Sequence, residues 1–76
     1  MIVCKLTESQ ERNLRVEYVN SPQCNLDDFN GYARYTEHSV PGVICATYKG
    51  GDNPHYMETL TFDEEQHLIW FIVRYS

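Results

Sequence analysis

The sequence has few cysteines, and their spacing points neither to a metal site nor to a disulfide framework. Cys4, Cys24 and Cys45 are an odd number and form no C-x-x-C pair. Even one disulfide would leave a thiol over, so we do not expect a secreted scaffold stapled by disulfides. Zinc sites in small domains usually hold close ligand pairs on tight turns, and no such pair is present. We therefore expect no metal site and no nucleophilic cysteine.

Long apolar runs and clusters of basic residues are also missing. The longest apolar run, residues 68–73, is far too short to cross a bilayer, and no signal peptide is visible. Direct binding to nucleic acid or to a membrane surface needs clustered Lys and Arg, so both are disfavoured. We expect a cytoplasmic protein. The six basic residues are scattered along the chain, as Lys5, Arg12, Arg15, Arg34, Lys49 and Arg74.

No motif for catalysis or phosphate binding stands out. Gly50 and Gly51 lie between two expected strands and not before a helix, which argues against a phosphate-binding loop. Adjacent acids at residues 27–28 and 63–65 are typical of helix starts, where carboxylates complement the helix dipole. General acid–base catalysis needs carboxylates that face one another in a cleft. The sequence therefore predicts a non-catalytic protein without a cofactor.

What the chain does contain is enough for one acidic domain. Its 76 residues are 42% hydrophobic and 13% aromatic, which suffices for a globular core and is too much for disorder. Eleven acidic and six basic residues give a formal charge of −5. This charge fits a basic protein partner, and it also fits a small domain that charge keeps in solution.

Alternating residues predict strands near the N terminus. Apolar residues occupy every second position over residues 2–7, which predicts a first strand. Residues 7–13 are polar and predict a loop. Leu14, Val16 and Tyr18 then alternate with charged residues, which predicts a half-buried second strand. We expect these two strands to form an antiparallel hairpin.

A helix is predicted over about residues 26–36. Asn25 followed by Asp28 resembles a helix N-cap with acids in the first turn, and apolar residues then recur at helical spacing. Gly31 would lie inside this helix and would destabilise it by about 1 kcal/mol relative to Ala. The alternative is an extra strand through residues 32–36.

The following segment predicts a second hairpin. Residues 43–48 are a nearly continuous apolar run, as expected of a central strand that is covered on both faces. Residues 50–54 are dense in turn formers. Residues 56–62 then return as a strand, with Leu60 and Phe62 on one face.

The C-terminal segment, residues 63–75, fits a helix or a strand. Acids at its start suggest a capping box, and a helix would align Leu68, Phe71, Ile72 and Tyr75 on one face. Residues 69–73 are nevertheless rich in strand formers. We favour the helix and keep the strand as the alternative.

The order of predicted elements is β-β-α-β-β-α. We expect an α+β fold in which a small antiparallel sheet of four to five strands packs with one or two helices, and residues 1–76 form a single domain. Arg34-Tyr35-Thr36 and Arg74-Tyr75-Ser76 are similar, but three residues are too few to establish an internal repeat.

Acidic residues that lie beside aromatics suggest a protein-binding surface. Charge on such a surface speeds the encounter with an Arg- and Lys-rich site, and aromatic side chains hold the complex. The competing interpretation is that the acids are solvated and the aromatics form the core. The candidate partner-binding residues are Asp27, Asp28, Asp63, Glu64 and Glu65, with Tyr32 and Tyr35 as anchors.

In size, charge and lack of catalytic motifs, the chain resembles the small acidic proteins of phages and mobile elements that block host defence machinery, anti-CRISPR proteins among them. The resemblance implies an inhibitor, acting in the host cytoplasm, that occludes a basic nucleic-acid-binding surface. The implied partner is a larger basic protein or ribonucleoprotein, and the inhibitor is a monomer or a homodimer.

Two alternatives remain open. The first is an immunity protein or antitoxin that neutralises a cognate toxin, which would use the same acidic and aromatic contacts. A small enzyme or ligand-binding domain would instead use a pocket near Cys24, His38 or His55, with a thiol and an imidazole within hydrogen-bonding reach.

Overall fold

The chain runs as strand, helix, helix, strand, strand, helix in a computed structural model that describes all 76 residues. The expected order β-β-α-β-β-α is therefore wrong, and so is the expectation of four to five strands with one or two helices, because there are three strands and three helices. The elements are β1 (Ile2–Lys5), α1 (Glu8–Val19), α2 (Gly31–Ser39), β2 (Val43–Lys49), β3 (Asn53–Phe62) and α3 (Glu65–Tyr75).

The segment predicted as a loop and a second strand is helix α1. Thr7 starts it with a capping box, in which its hydroxyl accepts from the Gln10 N–H while the Gln10 side chain accepts from the Thr7 N–H. Leu14 and Tyr18, four residues apart, then lie on the buried face, whereas Val16 is 52% exposed. Leu14, Val16 and Tyr18 alternate as a strand would, but the cap and the helical spacing decide the structure.

Helix α2 begins five residues later than predicted, and the alternative strand through residues 32–36 is wrong as well. Asn25 is not its cap, because the Asn25 backbone bonds to the Tyr18 hydroxyl. Leu26 and Phe29 precede the helix and are about half exposed. Gly31 is the first helical residue, where a Cβ would lie 2.7 Å from the Tyr18 Oη. The close approach of Tyr18 therefore requires glycine at this position.

The predicted second hairpin is confirmed, but its second strand, and not its first, is the central strand of the sheet. Strands β2 and β3 pair antiparallel, and Gly50 and Gly51 turn the chain with φ values of 68° and 83°, which favour glycine. The sheet order is β1-β3-β2, so β2 is an edge strand and not the covered central strand that was expected. Ile44 on β2 is accordingly 48% exposed.

The C-terminal segment is a helix, as favoured, and the strand alternative is wrong. Leu68, Phe71 and Tyr75 face the core. The predicted capping box does not form, because the side chain of the N-cap residue Glu64 accepts no capping hydrogen bond from the helix backbone; it accepts from the Gln66 side chain instead. Ile72, expected on the buried face, is 40% exposed.

The core lies between the helices and one face of the sheet. Leu60 and Phe62 of β3 and Leu14 of α1 are fully buried there, and Phe62 packs on Phe71 with ring centroids 5.5 Å apart. On the other face of the sheet, Val3 and Cys45 flank Thr61 and are exposed, so the helices form a single layer.

No helix of this protein has both the length and the apolar character that crossing a lipid bilayer requires.

The helical assignment of residues 8–19 predicts unequal effects for two neighbouring substitutions. Leu14→Ala should lower the free energy of unfolding by about 2–5 kcal/mol, because it leaves a cavity in the core. Val16→Ala should change it by less than about 0.5 kcal/mol, because Val16 points to solvent in a helix that tolerates Ala. Urea denaturation followed by circular dichroism measures both values. Comparable losses in the two variants would instead indicate a strand, in which the two side chains share one face.

Candidate functional site

Glu17 of α1 joins the three helices through one carboxylate. Its Oε1 accepts hydrogen bonds from the hydroxyls of Tyr35 on α2, at 3.0 Å, and Tyr75 on α3, at 2.8 Å. Its Oε2 lies 3.0 Å from Nη2 of Arg74. The two tyrosines of the similar Arg-Tyr dipeptides thus meet on a single oxygen. This carboxylate fixes the relative positions of the helices.

Glu11, one and a half turns earlier, joins α1 to the sheet. It is 9% exposed, and its Oε2 accepts from the Tyr32 hydroxyl at 3.1 Å and from the Met57 N–H at 3.3 Å. Arg15 Nε lies 3.4 Å from Glu11 Oε1, but this N–H makes no hydrogen bond, so the contact is one of charge alone. The polar partners compensate the burial of the carboxylate.

The two tyrosines proposed as anchors are therefore part of the internal structure. Tyr32 is 2% exposed and stacks on Tyr18 at a centroid distance of 5.1 Å. Tyr35 is half-buried and its hydroxyl is bonded to Glu17. Tyr32 has no surface to offer a partner, which agrees with the competing interpretation of the aromatics as core.

The five candidate acids lie in two separate places. Asp27 and Asp28 precede the N terminus of α2. The Asp63 N–H instead donates to the carbonyl of Gly42, just beyond the other end of α2, at 2.9 Å. A helix of nine residues spans about 14 Å, so the structure does not combine these acids into one patch.

Asp28 is engaged in local structure, whereas Asp27 is free. The Asp28 carboxylate accepts from Arg34 Nη1 at 2.7 Å and from the Asn30 N–H at 3.0 Å. These bonds, the one from Arg34 first, lower the pKa of Asp28 below its usual value. Since Arg34 neutralises Asp28, only Asp27 presents an uncompensated negative charge here.

The acidic turn, defined as Asp63, Glu64 and Glu65, is exposed and held in place. Asp63 Oδ1 lies 2.7 Å from Nδ1 of His67, and this bond lowers the pKa of Asp63. A Cβ at Gly42 would overlap the imidazole of His67, so that ring packs against the glycine backbone. The turn therefore presents its carboxylates from a fixed backbone.

The outer face of α3, defined as Ile69, Trp70, Ile72 and Val73, was missed from the sequence. These side chains are exposed by 53%, 43%, 40% and 78% respectively. The helix is apolar on all sides, and a helical projection of residues 65–75 could have shown it. Such a helix is normally buried, yet only one side of α3 meets the core. The face follows directly on the acidic turn.

The basic residues are not scattered in space. Four of the six line a single groove between the end of β1, the start of α1 and the β2–β3 hairpin, namely Lys5, Arg12, Arg15 and Lys49. Three acids share that groove, so its formal charge is +1. The rest of the molecule has two basic and eight acidic residues, which makes −6. The charge is therefore strongly asymmetric.

The histidines and cysteines form no chemical centre in this fold. No thiol hydrogen-bonds to an imidazole, and the Cys4 thiol only contacts the neighbouring Lys5 carbonyl, at 3.9 Å. No three His, Cys, Asp or Glu side chains are grouped in a way that could hold a metal ion. His38 lines a second, polar groove of about 500 Å³ together with Tyr35 and the Asp28–Arg34 pair.

Comparison of the chain with protein-family models, curated proteins and solved structures gives no match.

The buried tyrosines predict a loss of stability at alkaline pH. Burial first, and for Tyr35 and Tyr75 also the bond to Glu17, raises the pKa values of Tyr32, Tyr35, Tyr48 and Tyr75. Because the folded pKa lies above the unfolded one, the contribution to stability is complete below the unfolded pKa of about 10 and declines as the pH rises further. Tyrosinate absorbance near 295 nm should show these four hydroxyls ionising at a higher pH in the folded protein than in denaturant.

Glu17→Gln provides the control. This substitution removes the negative charge of Glu17 and should lower the pKa values of Tyr35 and Tyr75. The pKa of Tyr32, which bonds to Glu11, should stay unchanged. Ionisation of all six tyrosines near pH 10 in the folded wild type would contradict the assignment of these hydroxyls to the interior.

Proposed function

We propose that this chain is a non-catalytic binding protein that occludes a basic, nucleic-acid-binding surface of a larger partner. The binding surface is the acidic turn together with the outer face of α3, and we call it the α3 surface. The observation that carries the proposal is that three exposed acids stand at the start of α3 and four large apolar side chains are exposed further along the same helix.

The apolar part of the α3 surface supplies the affinity. Ile69, Trp70 and Val73 are all at least 43% exposed. Full burial of an exposed large apolar side chain contributes about 1.5–3 kcal/mol, and each of these three would gain the part that corresponds to its exposed fraction. Tryptophan is among the residues most enriched at the energetic centres of interfaces. Trp70 replaces Tyr32 as the proposed aromatic anchor, because Tyr32 is inside the molecule.

The acidic part selects the partner. Asp63, Glu64 and Glu65 lie where the sheet ends after Phe62, at the pole opposite to the basic groove. Outside that groove the molecule carries a formal charge of −6. A positive surface is therefore attracted to this pole, and charge complementarity raises the rate of encounter and disfavours acidic competitors.

The surface is also prepared for binding before a partner arrives. The acidic turn is tied to Gly42 through the Asp63 N–H and packs on it through His67. Helix α3 is fixed to α1 by the bonds from Arg74 and Tyr75 to Glu17. Little ordering is then required on association, and preorganisation of this kind favours affinity. Asp27 and Asp28 lie outside the α3 surface.

The proposal predicts that charge reversal on the acidic turn weakens the complex. The tagged protein is used to capture partners from host lysate at physiological salt, and the captured protein is then purified. We expect a basic nucleoprotein whose dissociation constant rises at least tenfold for Glu64→Lys/Glu65→Lys and for Trp70→Ala. Wild-type protein should displace nucleic acid from it in a filter-binding or polarisation assay.

Asp27→Lys/Glu37→Lys is the matched control, since it makes the same change of charge on exposed acids away from α3. It should leave the dissociation constant within about twofold. An equal loss in the control would show that net charge alone matters. A partner that keeps its nucleic acid while saturated with this protein would refute the occlusion.

A further inference from the structure

We infer that the basic groove is a binding site for a small phosphorylated ligand of the size of a nucleotide. The groove shares no residue with the α3 surface, and the acidic turn lies beyond the other end of β3, so this inference stands apart from the proposed partner-binding function. It has a volume of about 590 Å³, which is within the range of small-molecule sites.

Residues far apart in sequence meet at this groove for reasons of topology. Lys5 ends β1 opposite Thr59, and Lys49 ends β2 opposite Asn53. These two partners are six positions apart on β3, which is roughly 20 Å of strand, and both lysines line the groove that runs along it. Helix α1 starts directly after β1 and brings Arg12 and Arg15 alongside. The scattered positions in the sequence therefore become one cationic site.

Most of the basic residues of the groove differ from the other two basic residues in forming no ion pair. Arg34 and Arg74 each form an ion pair with an acid, at 2.7 and 3.0 Å. Lys5, Arg12 and Lys49 form none, and all three line the groove. Every basic side chain without an acidic partner in the molecule is thus at one site. Unpaired ammonium and guanidinium groups are the usual ligands of phosphate oxygens.

Two further features of the groove suit a phosphate ester. Helix α1, of 12 residues, begins there, so the positive end of its dipole is at the site, although its capping box already satisfies the N–H groups of Thr7 and Gln10. Tyr56 is 40% exposed on the opposite wall and lies under the Arg15 guanidinium, 4.5 Å from ring centroid to Cζ. This stacked pair offers a flat, partly apolar surface to the organic part of a ligand.

Charge limits the ligand to a small one. Glu8, Glu11 and Glu58 also line the groove, and Glu11 is already committed to Tyr32, Met57 and Arg15. A nucleotide with its phosphate chain can lie along the groove and contact its unpaired cations, whereas a long polyanion would extend over the surrounding surface of formal charge −6. A nucleotide therefore fits the charge distribution and a nucleic acid strand does not.

The test is a titration of the isotope-labelled full chain with ATP, pyrophosphate and adenosine at low salt, followed through backbone amide shifts. ATP and pyrophosphate should shift amides near residues 5–12, 49 and 56, and adenosine alone should shift few. Lys5→Gln, Arg12→Gln and Lys49→Gln should each weaken ATP binding by about tenfold, since each removes one charge-assisted contact. Circular dichroism melting of each variant verifies that it is folded.

Arg34→Gln is the matched control, because it removes one positive charge from a cation that is ion-paired and outside the groove. It should leave ATP binding unchanged within about twofold. The inference is overturned if ATP causes no shifts at millimolar concentration, or if Arg34→Gln weakens binding as much as the groove variants. It is also overturned if a single-stranded oligonucleotide binds more tightly than ATP. Loss of ATP binding leaves the α3 surface untouched, so the two proposals fail independently.

Discussion

The fold depends on two carboxylates of one helix, the buried Glu11 and the half-buried Glu17. Glu11 holds α1 to β3 and α2, and Glu17 holds it to α2 and α3. A sheet of three strands with a single layer of helices has a small core, and core burial alone leaves a domain of this size marginally stable. Hydrogen bonds from neutral hydroxyls to an ionised acceptor are stronger than ordinary ones. They also explain the abundance of tyrosine, whose ring fills the core while its hydroxyl reaches a carboxylate.

This arrangement decides which residues remain for function. Five of the six tyrosines direct their hydroxyls to partners within the chain, so the residue type most typical of binding surfaces is used for structure. Helix α3 differs from this pattern. Leu68, Phe71 and Tyr75 are its contribution to the core, and its remaining large apolar side chains face solvent. The basic residues also fall into two groups. Arg34 and Arg74 form ion pairs within the chain, and the unpaired cations line one groove.

Local patterns in the sequence predicted some elements and not others, for physical reasons. The β2–β3 hairpin was predictable because Gly50 and Gly51 provide a turn that only glycine adopts easily. Helix α1 was not, because Leu14, Val16 and Tyr18 alternate as in a strand while Leu14 and Tyr18 alone also fit a helical face, and the deciding signal was the capping box of Thr7 and Gln10. At the candidate sites, the acidic turn was predictable from composition. The basic groove was not, since the pairing of β1 and β2 with β3, and not sequence distance, places Lys5 and Lys49 along one groove.

The exposed apolar face of α3 is the feature hardest to explain by folding alone. Leaving Ile69, Trp70 and Val73 in water forgoes burial that a marginal domain would gain from, and contiguous apolar patches of this kind mark interaction sites. Substituting polar residues on this side of α3 would leave the contacts of Phe71 and Tyr75 intact. The core therefore does not require the apolar character of the outer face. The proposed binding of a partner would require it, and the acidic turn at the start of the same helix would supply the charge that selects that partner.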